Sequence, residues 1–247
     1  MKVVFDATGY VLVVTGGASG IGRALSLAMA KVGARVVVLD ADASGLEEIG
    51  AEHRNVETAT VDVSQRAAVF DVLSAIEARH GKIDGLVCGA AIQPRTLIHE
   101  MDPEEWLRVQ RVNLDGVVWC YQAVVPGMIK RRRGNIIAFT SGLATQGWPQ
   151  ASAYASTKAA ITAFGKSAAK EISRYRVRFN VVSPGVIDTP QYRAANESED
   201  NEKWKATLGV GSPEDVVGPL MFLLSDAGTM TGSVLSRDIA YPREEWD

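Results

Sequence analysis

The 247 residues include only two cysteines, Cys88 and Cys120. Two are too few for a disulfide framework, and both lie in apolar stretches. The expectation is a pair of buried, reduced thiols in a cytoplasmic protein. No apolar run reaches the ~18 uncharged residues that a membrane-spanning helix needs. The longest candidate, Val112 to Ile129, is broken by Asn113, Asp115 and Pro126. Met1 to Tyr10 has no long apolar stretch followed by a small-residue cleavage site, so no secretory signal is expected there. Neither sign of charge is in excess. The 26 Lys and Arg against 29 Asp and Glu leave a formal charge of −3. The run Lys130-Arg-Arg-Arg133 has no interleaved aromatics and reads as a basic helix C-terminus, which suits the helix dipole. Neither a membrane nor a nucleic-acid partner is expected. Nothing in the sequence calls for a metal.

What is present is an alternation of short β-branched runs with longer helical segments. Val11 to Thr15 is continuously apolar, as in a strand buried on both faces. Leu25, Ala28, Met29 and Val32 then repeat at helical spacing on one face. Further strands are expected at 35–39, 58–61, 86–88, 135–140 and 177–182. Helices are expected at 43–51, 65–79, 103–129 with breaks, and 152–174. Such alternation means βαβ units and a parallel sheet covered on both faces. The expected fold is one α/β domain, a Rossmann-type doubly wound parallel sheet of about seven strands. Residues 188–211 are polar, acidic and poorly periodic. A connection that long is usually functional, and we read it as a substrate lid.

Glycine is mildly abundant, 23 residues, and its placement matters more than its number. Thr15-Gly-Gly-Ala-Ser-Gly-Ile-Gly22 joins the first strand to the first helix. Gly16, Gly20 and Gly22 let the backbone turn tightly and approach a pyrophosphate, which the helix N-terminus attracts. The spacing is G-x-x-x-G-x-G rather than the commoner G-x-G-x-x-G. Asp40 follows Gly22 by 18 residues, at the end of the second strand. A carboxylate there accepts hydrogen bonds from adenosine ribose hydroxyls and repels a 2′-phosphate, which favours NAD over NADP. Asp62, after the third strand, either reaches an adenine amino group or caps the next helix.

Tyr154 and Lys158 lie four apart in an expected helix, so both reach one site. An adjacent ammonium favours the phenolate and would make Tyr154 a general acid/base near neutral pH. Ser141 ends the 135–140 strand, where ligands bind in open parallel sheets. Together with Asp62-Val63, Asn113, and Pro184-Gly185 followed by Thr189, these residues resemble the short-chain dehydrogenase/reductase family over essentially the whole chain.

The resemblance implies a set of roles. Tyr154 exchanges the substrate proton, and Ser141 holds the substrate oxygen. Lys158 binds the nicotinamide ribose and lowers the Tyr154 pKa. Asn113 holds a water in a proton relay, and Thr189 with the Val186-Ile187 backbone binds the carboxamide. On the residues alone, Asn113 reads as helix interior and Thr189 as a turn residue. The cofactor set is completed by Ser19, Ile21, Ala90, Pro184 and Gly185. Gln93, Leu143, Trp148, Val186, Tyr192 and, further along the lid, Trp204 are nominated for the substrate pocket, and Arg95 at its mouth could pair with a carboxylate.

The implied activity is NAD-dependent interconversion of a secondary alcohol and a ketone, in a homotetramer. A 3-oxoacyl-thioester reductase using NADPH and a non-catalytic dinucleotide-binding regulator are the alternatives. An acidic lid, Glu197, Glu199, Asp200 and Glu202, would disfavour highly anionic substrates. Two departures from the family pattern stand out. Cys88-Gly89-Ala90-Ala91 replaces Asn-Asn-Ala-Gly, and Arg237-Asp238-Ile239-Ala240 replaces Val-Asp-Gly-Gly.

Overall fold

The computed structural model describes residues 3–196 and 198–239. Glu197 and Ala240 lie outside the described residues. The chain runs β1 (Val11–Thr15), α1 (Gly20–Lys31), β2 (Arg35–Asp40), α2 (Ala43–Glu52), β3 (Val56–Thr60), α3 (Arg66–His80) and β4 (Gly85–Cys88). It continues through α4 (Pro103–Gln110), a π-helical turn (Arg111–Asp115), α5 (Gly116–Arg131), β5 (Gly134–Phe139), α6 (Leu143–Gln146), α7 (Ser152–Ile172) and β6 (Val177–Ser183). Then follow α8 (Pro190–Ala195), α9 (Ser198–Thr207), α10 (Glu214–Leu224) and β7 (Val234–Ser236).

The seven strands form one parallel sheet in the order β3-β2-β1-β4-β5-β6-β7. Strand side chains alternate between the two faces, and the core divides accordingly. Val13, Val37, Leu86 and Ile136 meet Val69, Leu73, Val117, Met128 and Ile161 from α3, α5 and α7. Leu12, Val14, Val36, Val38 and Ile137 meet Leu25, Met29, Leu46, Val216 and Leu220 from α1, α2 and α10. Gly165 lets α7 lie close on the sheet, since a Cβ there would stand 2.7 Å from Val181 Cγ2.

The third strand is Val56–Thr60, not 58–61, so Asp62 lies two residues beyond it. Asp62 does not cap α3 either, whose N-cap is Gln65. The expected 103–129 helix is divided at 111–115, where the backbone widens into the π-turn. Residues 188–211 are a closed excursion rather than an open loop. Asp188 N–H donates to the Gly211 carbonyl (2.8 Å) and Gly211 N–H to the Val186 carbonyl (2.9 Å), and α8 and α9 lie between. Thr189 starts α8 by accepting from Tyr192 N–H (3.1 Å), with Pro190 at the first helical position.

The order of strands reverses between β1 and β4. The chain crosses over there, and a crevice opens beyond the carboxyl ends of those strands.

Candidate active site

A cleft of about 760 Å³ occupies that crevice. Its floor is the glycine turn. Gly16 has φ +67°, and a Cβ on it would stand 2.5 Å from Ala90 N, so only glycine lets the turns after β1 and β4 touch. Gly22 is similarly confined, with a Cβ position 2.4 Å from the Gly16 carbonyl oxygen. Ser19 makes no side-chain cap to α1. The first N–H groups of α1 are thus presented with the positive end of its dipole toward the cleft, a ready anion site. Asp40 borders the same turn. It accepts from Ala18 N–H (3.0 Å) and Asp42 N–H (3.1 Å), which fixes its carboxylate at the cleft edge. Asp62 accepts from Ser64 N–H (2.9 Å) and lines the cleft next to Val63.

The other end is assembled by α7. Thr140 Oγ1 donates to the Lys158 carbonyl (2.8 Å), and Thr162 Oγ1 bonds Thr140 Oγ1 (3.0 Å). These bonds dock α7 against the end of β5 and bring Ser141 near Tyr154, where the serine hydroxyl acts to lower the tyrosine pKa. Leu143 N–H donates to Ser141 Oγ (3.2 Å), which holds the serine in place.

Lys158 is 4% exposed, and its Nζ donates to the Phe139 carbonyl (3.1 Å) while lying 5.4 Å from the centre of the Tyr154 ring. Burial pulls its pKa down to about 8, opposed by the nearby Cys88. Tyr154 is corrected in direction relative to the sequence expectation. Burial raises its pKa to about 12, against the lowering effects of the Ser141 hydroxyl and the Arg95 charge. The physical reason is that the ammonium is engaged with a main-chain carbonyl behind the ring, and desolvation dominates.

Gly16, Ser19, Gly20, Ile21, Gly22, Asp40, Asp62, Val63, Ala90, Pro184, Gly185, Ile187 and Thr189 all line the cleft. So do Gln93, Ser141, Leu143, Tyr154, Lys158 and Tyr192. Two nominated residues are placed elsewhere. Asn113 is fully buried in the π-turn. It accepts from Ile92 N–H (2.8 Å) and donates to the Ile92 carbonyl (2.9 Å) and Thr157 Oγ1 (3.3 Å). Its side chain braces the β4 turn against α7 rather than entering the cleft. Trp148 packs against Trp204 of α9, with ring centres 4.9 Å apart and the rings tilted by 46°, and it is Trp204 that lines the cleft.

Sequence reasoning missed Ile92, Asn196 and the placement of Arg237. The first two act through main-chain and lid contacts that no motif marks. Arg237 was visible as a departure. Its guanidinium lies against Gly211, where a Cβ would be 2.6 Å from Nη2, and 3.8 Å from Asp215 Oδ2. The other departure, Cys88, is buried. The neighbouring Cys120 thiol, together with burial, holds its pKa well above the ordinary thiol value. Among the described residues no group of three His, Cys, Asp or Glu is placed to hold a metal, and no helix is long and apolar enough to cross a membrane.

A Rossmann-type sheet with a glycine turn at its switch point and a Ser–Tyr–Lys set across the crevice defines a class of nicotinamide-dependent oxidoreductases. The sequence comparisons give the family. Residues 10–200 match the short chain dehydrogenase family model, and the chain belongs to that family. It is 35% identical to the 3-oxoacyl-[acyl-carrier-protein] reductase FabG of Thermotoga maritima, over 93% of this chain and 96% of that protein. It is 32% identical to the 2,3-dihydro-2,3-dihydroxybenzoate dehydrogenase of Bacillus subtilis, over 90% and 92% of the two chains. The crystal structure of gox2181 superposes with a TM-score of 0.88 at 31% identity, covering 94% of this chain and 95% of that one.

Proposed function

We propose that the protein is an NAD(H)-dependent oxidoreductase that interconverts a secondary alcohol and a ketone, with Tyr154 as general acid/base. The observation that carries this is that Ser141, Tyr154 and Lys158 line the same cleft as the glycine turn. The turn fits a dinucleotide, because Gly16 and Gly22 bring backbone N–H groups where any side chain would intrude. Bound there, the nicotinamide supplies the hydride donor or acceptor.

The chain's own residues do the rest. Ser141 orients the substrate oxygen. Tyr154 gives or takes its proton. Lys158, buried behind the ring, holds the ribose. Asn113 keeps the β4 turn in register through its bonds to Ile92. Thr189 and Ile187 border the carboxamide position. The 188–211 excursion covers the substrate as a lid.

Asp40 supports NAD over NADP. Its carboxylate, held at the cleft edge by the Ala18 and Asp42 N–H groups, would repel a 2′-phosphate bound beside it. The relatives named FabG favour a second reading, reduction of a 3-oxoacyl thioester with NADPH. Exposed apolar residues on and near α4 (Leu97, Ile98, Leu107) and on or near α10 and β7 (Phe222, Val234, Ile239) are consistent with the homotetramer we propose. A panel of alcohols, ketones and acyl thioesters, assayed with both cofactors, tests the function. Turnover of simple ketones with NADH is expected. Turnover confined to thioesters with NADPH would replace this reading with the second.

A further inference from the structure

Trp204 sits in the last turn of α9 and lines the cleft. Its main-chain carbonyl accepts from Leu208 N–H (3.0 Å) and Gly209 N–H (2.9 Å), so the helix ends there and the chain returns to the closed base of the excursion at Gly211. Its ring meets Trp148, 4.9 Å away and tilted by 46°. Lys203 Nζ lies 4.9 Å from the centre of the same Trp148 ring, so two successive residues of α9 grip one indole. Trp148 is itself anchored. Its carbonyl accepts from Ala151 N–H (3.2 Å), the Ala151 carbonyl from Ala155 N–H (2.8 Å), and the Gln150 carbonyl from Thr96 N–H (3.2 Å). The segment runs directly into α7, which carries Tyr154. Trp148 thus ties the lid to the helix of Tyr154. Arg95 makes a second tie, donating to the Ala195 carbonyl (2.7 Å) and Asn196 Oδ1 (3.0 Å) at the end of α8. The lid turns an uncharged face inward. Among the described residues no charged side chain of 188–211 lines the cleft, and Asp188 pairs with Arg193 (2.7 Å) and Glu202 with Lys205 (2.9 Å). The lid and its base instead contribute Val186, Tyr192, Trp204 and Leu208, and α6 contributes Leu143, two residues after Ser141.

We propose that Trp204 determines substrate specificity, with Trp148 as the residue that positions it, and that the substrate carries a flat, uncharged aromatic ring beside its reacting carbon. The proposal rests on the oxidoreductase reading above and narrows it to a substrate class. A ring entering the cleft exchanges water for the Trp204 indole and the aliphatic groups of Leu143, Val186 and Leu208. Aromatic pairs in offset or edge-to-face geometry gain beyond what their buried area gives, and a puckered ring of equal size does not. An indole already held by Trp148 has little freedom left to lose when the ring binds. The ring is unchanged in the reaction. In reduction the carbonyl carbon gains a hydride from the reduced cofactor and its oxygen gains the Tyr154 proton. Because Trp148 leads into α7, the contact that places Trp204 also sets where the ring sits relative to Tyr154.

The test compares 1-phenylpropan-2-one with 1-cyclohexylpropan-2-one, with NADH. The two ketones are alike in size and in the surroundings of the carbonyl, and differ in the flatness of the ring. The expected ratio of kcat/KM, phenyl over cyclohexyl, is at least roughly threefold in the native protein. Trp204→Phe keeps it. Trp204→Leu, which keeps an apolar side chain without a flat face, brings it toward one. Trp148→Ala lowers the ratio and Trp148→Phe restores it, whereas a general loss of stability would lower both substrates together and leave the ratio intact. A native ratio near one, or a ratio that Trp204→Leu does not move, overturns the proposal while leaving the oxidoreductase reading standing. A ratio that Trp148→Ala does not move overturns the positioning role of Trp148. If neither ketone turns over, the oxidoreductase reading fails instead, and binding decides the inference. Calorimetric titration of the NADH-loaded protein with benzyl alcohol and cyclohexylmethanol should show tighter binding of the aromatic alcohol, by at least roughly threefold, and Trp204→Leu should abolish the difference. Equal binding of the two overturns it.

Discussion

Asn113 and Ile92 are joined by a two-way bond. The side-chain amide of one accepts the N–H of the other at 2.8 Å and donates to its carbonyl at 2.9 Å. This pair, buried on the Asn113 side, fixes the turn after β4 against the helix that carries Tyr154. Asn113→Ala leaves both main-chain groups of Ile92 without that partner. A loss of about 1–3 kcal/mol is expected, and for a chain of this size each kcal/mol lowers Tm by about 2–4 °C. Calorimetry of the variant checks this, and an unchanged Tm would show that the bond is not structural.

Gly16→Ala combines a positive φ with a Cβ position 2.5 Å from backbone, where no flexible side chain can yield. The variant is expected to fold less stably and to lose NADH binding by at least an order of magnitude, measured by fluorescence titration. Gly142→Ala is the control, since a Cβ there meets nothing within 4 Å.

Asp40→Ala removes the acceptor for Ala18 and Asp42 N–H and the anion proposed to face the adenosine ribose. The KM for NAD should rise about tenfold or more, as for loss of a charge-assisted pair of hydrogen bonds. The KM for NADP should rise less or fall, so the preference ratio narrows. Steady-state assays with both cofactors read the ratio.

Lys158 is a buried cation with its folded-state pKa lowered from 10.5 to about 8. Between those values the unfolded chain binds more protons, so stability rises with pH through that window. Below pH 8 the buried charge costs on the order of 3 kcal/mol, before the Phe139 hydrogen bond is counted. Lys158→Met should therefore be as stable as the native protein or more stable at pH 7, while losing turnover. Its advantage should shrink between pH 8 and 10. Urea denaturation of both proteins across that range measures the difference. A variant that is less stable at pH 7 would mean the ammonium is stabilising where it sits.

The sheet was largely legible because its strands are buried on both faces and read as unbroken apolar runs, as in Val11–Thr15. Helix α7 was legible from its long alanine-rich periodicity. The segment after β6 was not. α8 is short, α9 carries little apolar periodicity, and α10 contains Gly218 and Pro219, which read as breaks although Val216, Leu220, Leu223 and Leu224 pack on the sheet. Near the cleft, motif spacing located Ser141, Tyr154 and Lys158, but electrostatics did not follow from spacing. Four residues of separation brought Lys158 behind the Tyr154 ring, and burial set both pKa directions. Asn113 shows the same limit, since its partner Ile92 is 21 residues away and offers only main-chain atoms.

The most direct test of the account is Tyr154→Phe, which removes one hydroxyl from the cleft and keeps the ring against Lys158. The account predicts a loss of turnover of at least ~100-fold, the scale of general acid/base catalysis, with NADH affinity within about threefold of native. Turnover close to native in that variant would contradict it.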